Sequence, residues 1–378
     1  EAPLLVQRLC GICPVSHHLA AAKAIDQIYG VDPEDLDPTA TKLRRLLHYA
    51  QVFQSHALHF FYLASPDLLF GVDAPELKRN VMAVAMEDRE LARQGILMRK
   101  FGQELIQAIA GKKIHGLTCL PGGVHKALTK EEREYFLDGK AIPSVDDMIS
   151  WSLAILDFIK EYHSTHRSFM DSFAIMPSGH LAMVSEQGDL ELYHGNLRSI
   201  GPTRNIRLND IPTDAYPTHF SEHVERWSYM KFPFVRSMGA ADGWYQVGPL
   251  ARMNNCDFID TPLAEEARRE FVAEGQGAGQ VLDRLALVDL DVLLVDIVEI
   301  AGARLGDVVK QAEQHHPAGI GLLVQLGEGV ADQAGAEDML GDRFGTGTEK
   351  LEAGARRALE HACFEKKIGD VFHDISKA

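Results

Sequence analysis

The residues of this chain best placed to do chemistry sit at its amino end, in Arg8-Leu9-Cys10-Gly11-Ile12-Cys13-Pro14-Val15-Ser16-His17-His18. Two thiols at i and i+3 and an imidazole four residues later can be aimed by one short loop at one metal ion. The whole chain has only five cysteines. Gly11 is expected to relieve backbone crowding between the thiols, while Pro14 and Ser16 suit the first turn of a helix. The positive end of that helix favours thiolate over thiol, and the Arg8 guanidinium adds to the effect. His17 is placed to hydrogen-bond a ligating sulfur.

Taken alone, C-x-x-C is shared by redox pairs and half-sites for zinc. A thioredoxin-like pair follows a buried strand in a βαβ unit, and the nine residues before Cys10 leave little room for one. Structural zinc needs four protein ligands, so Cys10, Cys13 and His17 would have to recruit a fourth. The plainest alternative is two buried cysteines with no ligand.

The elements that must position these residues are legible nearby. A helix is expected through Tyr29 with a stop at Gly30, and Asp37-Pro38 reads as an N-cap with proline at the first helical position. The helix opened there carries Leu43, Leu46, Leu47, Ala50, Phe53, Ala57 and Phe60 at helical spacing and should end near Ala64, before Pro66. His48, His56 and His59 fall in one arc of it, and by pattern alone they are hydrogen-bonded helix histidines. Lys112, Lys113 and His115 read as a solvated cluster beside a turn at Pro121-Gly122-Gly123. Cys119 reads as a small buried hydrophobe.

The fuller string R-x-C-G-x-C-x-x-x-H resembles the first nickel signature of nickel-iron hydrogenase large subunits, and its wording is most similar to the NAD-linked, bidirectional cytoplasmic type. Five further stretches resemble family segments in the right order: Ser55 to Leu63 with its H-x-x-H-F pattern, Gly111 to Gly116 with Pro121 to Val124, Tyr193 to Arg198, His219 to Pro233, and Val247 to Asn254. The resemblance spans residues 1–271 and implies a mainly α (α+β) fold with a helical core. It implies Cys10 as a terminal nickel ligand, Cys13 bridging nickel to an iron that carries carbon monoxide and cyanide, and His17 hydrogen-bonded to the bridging sulfur. Cys10, Cys13 and His17 are then the catalytic group, and Arg8, His56 and His59 lie close to the cofactor. Ser55 stands where many relatives carry an acid, so a proton-relay role is not expected there.

The resemblance also implies electrons leaving through a separate small iron-sulfur subunit to reach NAD on further diaphorase subunits, with no iron-sulfur cluster in this chain. The family's R-x-E-G-H, P-R-G and D-P-C-x-x-C-x-x-H elements are not found, and no second C-x-x-C exists. The expectation is a fragment that does not assemble the complete nickel-iron centre by itself. The alternative is a noncatalytic scaffold or zinc-binding paralogue.

Residues 272–378 follow a glycine-rich join, Glu274 to Gln280, and read as an acidic tail of α/β character. One or two strands, with helix as a close alternative, are expected within Leu285 to Ile300, another strand at Ile320 to Leu326, and a helix from Leu351 to Phe364. His315-His316-Pro317 reads as surface, and Cys363 stands isolated. A net charge of −16 argues against nucleic acid, which a basic stripe would have to neutralise. No apolar run approaches the roughly 18 residues of a membrane span. The first residues lack the features of a signal peptide, and an odd cysteine count without framework spacing suits a reducing compartment, so a cytoplasmic site is expected.

Overall fold

The structure is a computed structural model that describes residues 1–276 apart from 138, 139, 171 and 173–176. The expectations for the tail beyond Gln276 lie outside the described residues. The join expected after residue 271 begins inside the last described helix, which continues to Gln276.

The first half is helical: α1 (Ala2–Val6), α2 (Pro14–Ile28), α3 (Pro38–Leu58), α4 (Ser65–Phe70), α5 (Val81–Glu87), α6 (Arg89–Ala110), a two-residue hairpin of β1 (Cys119–Leu120) and β2 (Gly123–Val124), then α7 (Lys130–Leu137), α8 (Val145–Thr165) and α9 (Arg167–Met170). The second half mixes short strands and helices: β3 (Gly179–Val184), β4 (Asn196–Ile200), β5 (Ile206–Ile211), α10 (Tyr216–His219), β6 (Phe220–Val224), β7 (Lys231–Val235), α11 (Gly239–Asp242), β8 (Tyr245–Gln246), α12 (Pro249–Asn255) and α13 (Pro262–Gln276). This is the expected α+β arrangement. No helix among the described residues is long and apolar enough to cross a membrane.

The expected caps form. The Asp37 carboxylate accepts the Thr39 N–H at 2.9 Å with Pro38 in the first turn, and Gly30 takes a positive φ just past α2. Helix α3 does not end at Ala64, however. It widens into a π turn over His59–Ala64 and resumes as α4. Pro66 has no N–H and would crowd a carbonyl one α turn back, so a wider turn lets the chain carry it without breaking. The Ser65 hydroxyl donates to the Phe61 carbonyl at 2.6 Å across that turn.

Helices α3 and α6 form the spine of the core and run in opposite senses: Gly102 of α6 lies against Ala50 and Gln54, while Gly95 lies against Phe61. Leu47, Phe53, Met98, Phe101 and Ile109 are buried between them. Phe53 and Phe101 meet edge to face at 6.2 Å, and Phe101 meets Phe136 of α7 at 5.5 Å. In the second half a four-stranded sheet has the order β5-β4-β3-β8, with β8 parallel to β3 and the other pairs antiparallel. A smaller core of Val184, Met253, Cys256 and Ile259 joins it to α8, α12 and α13.

Candidate metal centre

The chain enters the C-x-x-C loop from a 3-10 turn at Gln7–Leu9. Cys10 follows in extended conformation, and Cys13 occupies the N-cap of α2 with Pro14 behind it. His17 stands one turn into α2, so its imidazole points back over the helix start. Sulfur and nitrogen donors of Cys10, Cys13 and His17 all lie within 4.8 Å of one another. Among the described residues no other His, Cys, Asp or Glu joins this cluster.

The two sulfurs are 2.7 Å apart, with the Cys13 thiol donating to Cys10 Sγ, which also accepts the Cys13 backbone N–H at 3.1 Å. Those two hydrogen bonds hold the Cys10 thiol below its ordinary range. Cys13 is pushed up to about 11, first by burial and then by giving its proton to Cys10. The Cys13 thiol proton is directed at Cys10 Sγ, and a soft cation arriving between the sulfurs would displace it.

Gly11 does not act as expected. A β-carbon there would meet nothing within 4 Å, and its φ is not positive. The loop is open on that side, so sulfur crowding does not require a glycine. Arg8 is exposed in the 3-10 turn just before Cys10.

His56 and His59 are not in the three-donor cluster. His56 bonds its own helix, Nδ1 to the Val52 carbonyl at 2.7 Å, and His59 is exposed in the π turn. The face of α3 turned to the thiol loop carries Gln51 and Gln54 instead, and His56 is about 200° around the axis from Gln54. His48 caps the Leu192 carbonyl through Nε2 at 2.9 Å. Burial drives both His48 and His56 down to about 4, so they are neutral at pH 7.

Three features around the centre had no signal in the sequence pattern. Gln51 Oε1 accepts the Ser16 N–H at 2.9 Å and Gln51 Nε2 donates to Ser16 Oγ at 2.6 Å, while Gln54 Nε2 donates to the Ile12 carbonyl at 3.1 Å. His18 is buried, and its Nε2 accepts the Cys119 N–H at 3.2 Å, tying α2 to β1. Buried Arg44 pairs with buried Asp26 and donates to the Leu120 and Gly123 carbonyls, and Asp26 accepts the Gly122 N–H at 2.8 Å. The Pro121-Gly122-Gly123 turn is therefore held by α2 and α3 together. The loop before it places Lys113 and Ile114 in a shallow pocket with Gly11 and Ile12. Cys119 is buried as expected, its thiol pushed up to about 12 by desolvation.

Two thiols and an imidazole at a helix start fit a soft or borderline transition metal, nickel, iron and zinc included. A family model described as nickel-dependent hydrogenase matches residues 1–93. The fold agrees: the chain superposes on the crystal structure of an NAD+-reducing NiFe-hydrogenase in the H2-reduced state with a TM-score of 0.76 and 44% identity, covering 81% of this chain and 66% of that one. The NiFeSe hydrogenase of D. vulgaris Hildenborough shares the fold at 18% identity, with a TM-score of 0.57 and coverage of 84% and 69%. This chain belongs to the nickel-dependent hydrogenase large-subunit family.

Within that family it is similar to the NAD-reducing hydrogenase HoxS subunit beta of Cupriavidus necator H16, 44% identical over 281 residues that make up 73% of this chain and 57% of the relative. It is 38% identical over 272 residues to a subunit of the vhu F420-non-reducing hydrogenase of Methanocaldococcus jannaschii, covering 72% and 63%. The chain thus spans less than two thirds of the length of either relative.

Proposed function

We propose that this chain supplies the amino-proximal half of the thiolate site of a nickel-iron hydrogenase catalytic subunit. The observation that carries the reading is the convergence of Cys10, Cys13 and His17 donors within 4.8 Å at the start of α2. When bound, a nickel-iron pair carrying carbon monoxide and cyanide supplies the Lewis acidity that polarises molecular hydrogen. The chain's own residues hold and orient that group. Cys10 and Cys13 would hold that group through their Sγ atoms, in the terminal and bridging roles that the resemblance implies, and a cysteine Sγ would be the place to hold a proton. His17 steadies the Cys13 sulfur, and Arg8 stands exposed in the turn just before Cys10, beside the cofactor position. His56 on α3 and His59 in the π turn act on the environment of the cofactor, not as ligands.

The remaining donors of a two-metal centre come from outside this cluster. The partners proposed are a small iron-sulfur subunit that carries electrons away and diaphorase subunits that deliver them to NAD, in a cytoplasmic complex. Similarity to HoxS subunit beta supports the NAD assignment.

Metal analysis after anaerobic co-expression with a small subunit tests the reading. Nickel and iron together are expected, with Cys10→Ser and Cys13→Ser each lowering nickel at least tenfold. Zinc alone, held by the same three donors, would instead support a noncatalytic zinc-binding paralogue.

A further inference from the structure

Cys13 occupies a position that normally carries a capping side chain. An N-cap Ser, Thr, Asp or Asn accepts a first-turn N–H, whereas the Cys13 side chain makes no capping bond in α2. Its sulfur is committed to Cys10. The Ser16 N–H of that first turn reaches the Cys13 carbonyl at 3.1 Å, and no N-cap side chain adds the usual capping bond.

We infer that Gln51 and Gln54 are positioning residues for the thiol loop, with Gln51 performing the cap that Cys13 gives up in order to ligate metal. Gln51 reaches across from α3 and takes the Ser16 N–H, the third of the helix, while its amide group holds the Ser16 hydroxyl. One turn farther along the same face, Gln54 grips the carbonyl of Ile12, midway between the two cysteines. Both glutamine side chains are almost wholly buried, 4% and 6% exposed, while the Ser16 and Ile12 groups they hold are nearer the surface. Gly102 of α6 presses directly on Gln54 and leaves it little freedom. A neutral carboxamide suits this role, because it donates and accepts at once and adds no charge beside sulfurs that must ionise. The inference rests on the metal-centre reading and extends it from ligands to the residues that fix their spacing.

The test uses the full reduced chain, titrated anaerobically with nickel(II) chloride, reading the thiolate-to-nickel charge-transfer band and the affinity by chelator competition. The wild-type chain should show the band and Cys10→Ser should lose it. A wild-type chain without a band defeats the metal-centre reading and the clamp with it. With the band present, Gln51→Met should weaken nickel binding about tenfold, about 1.4 kcal/mol, and shift the band, while the far-ultraviolet spectrum is unchanged. Gln51→Glu, which keeps an acceptor at the Ser16 N–H, should recover most of the affinity. Gln54→Met should lose about threefold and shift the band in the same direction. Wild-type affinity and band position in Gln51→Met overturn the clamp alone, as does a loss in Gln51→Glu equal to that in Gln51→Met. Should Gln51→Met not fold, wild-type binding by Gln54→Met overturns it.

Discussion

Two polar clusters join α2 to α3, and they are built on opposite principles. Arg44 and Gln51 lie seven residues apart, so they share one face of α3 about 10 Å apart along the axis. At the Arg44 end a buried ion pair with Asp26 gathers the Leu120, Gly122 and Gly123 backbone groups, every partner being satisfied. At the Gln51 end no formal charge is used, and two carboxamides hold the loop that carries the thiols. The side-chain bonds that lock the frame are charged, and those that hold the thiol loop are neutral. The difference separates residues that make the fold from residues that tune the site.

The sharpest way to break this distinction is at the charged end. Arg44→Met leaves Asp26 buried without its cation and should cost roughly 3–5 kcal/mol of stability, seen as a large drop in the urea midpoint. Asp26→Asn combined with Arg44→Met should recover much of the loss, because no lone charge remains. Nickel bound per folded molecule should hardly move in either variant. A site-specific loss of nickel at full stability would erase the division between frame and site.

What could be read beforehand follows from the range of each interaction. Cys10, Cys13 and His17 are local, set by i, i+3 and i+7 spacing at a helix start, and so are the Asp37 cap and the Gly30 stop. Asp26 with Arg44 and Ser16 with Gln51 are contacts across 18 and 35 residues between polar side chains. Polar positions carry no hydrophobic period, so nothing in the pattern marks them as buried. Arg44 in particular reads as an exposed helix residue until its partners are known. The π turn is illegible for another reason: Pro66 is a good stop signal, and the chain stays helical past it with Phe60 and Phe61 buried in the core. Gly11 shows the reverse error, a residue expected to relieve crowding where space is open.

Gly102→Ala sharpens the carboxamide end. A β-carbon there would stand 2.8 Å from Gln54 Cβ and 2.9 Å from the Ala50 carbonyl oxygen. The helices must part or Gln54 must shift, costing roughly 1–3 kcal/mol against about 1 kcal/mol gained in helix propensity. The net stability change is therefore expected to be small, about 1 kcal/mol, while nickel affinity falls as it does in Gln54→Met. Thermal melts set beside the nickel titration check both halves, and wild-type affinity in Gly102→Ala would show that Gln54 need not be held.

The smallest effect expected comes from the histidine flank of α3, which neither cluster uses. His48 and His56 are held near 4 in the folded chain, first by burial, against about 6.5 unfolded. The unfolded chain therefore binds more protons between these values, and stability rises with pH there. The contribution is fully present above about pH 6.5 and is lost as pH falls towards 4. His48→Gln keeps a donor for the Leu192 carbonyl and removes one titrating group, so it should cost about 1 kcal/mol at pH 7.5 and progressively less at pH 5. Urea midpoints measured across that range should show a shallower slope for the variant. An unchanged slope would mean that His48 binds its proton equally in the folded and unfolded chain, and that its burial does not set the acid side of the stability curve.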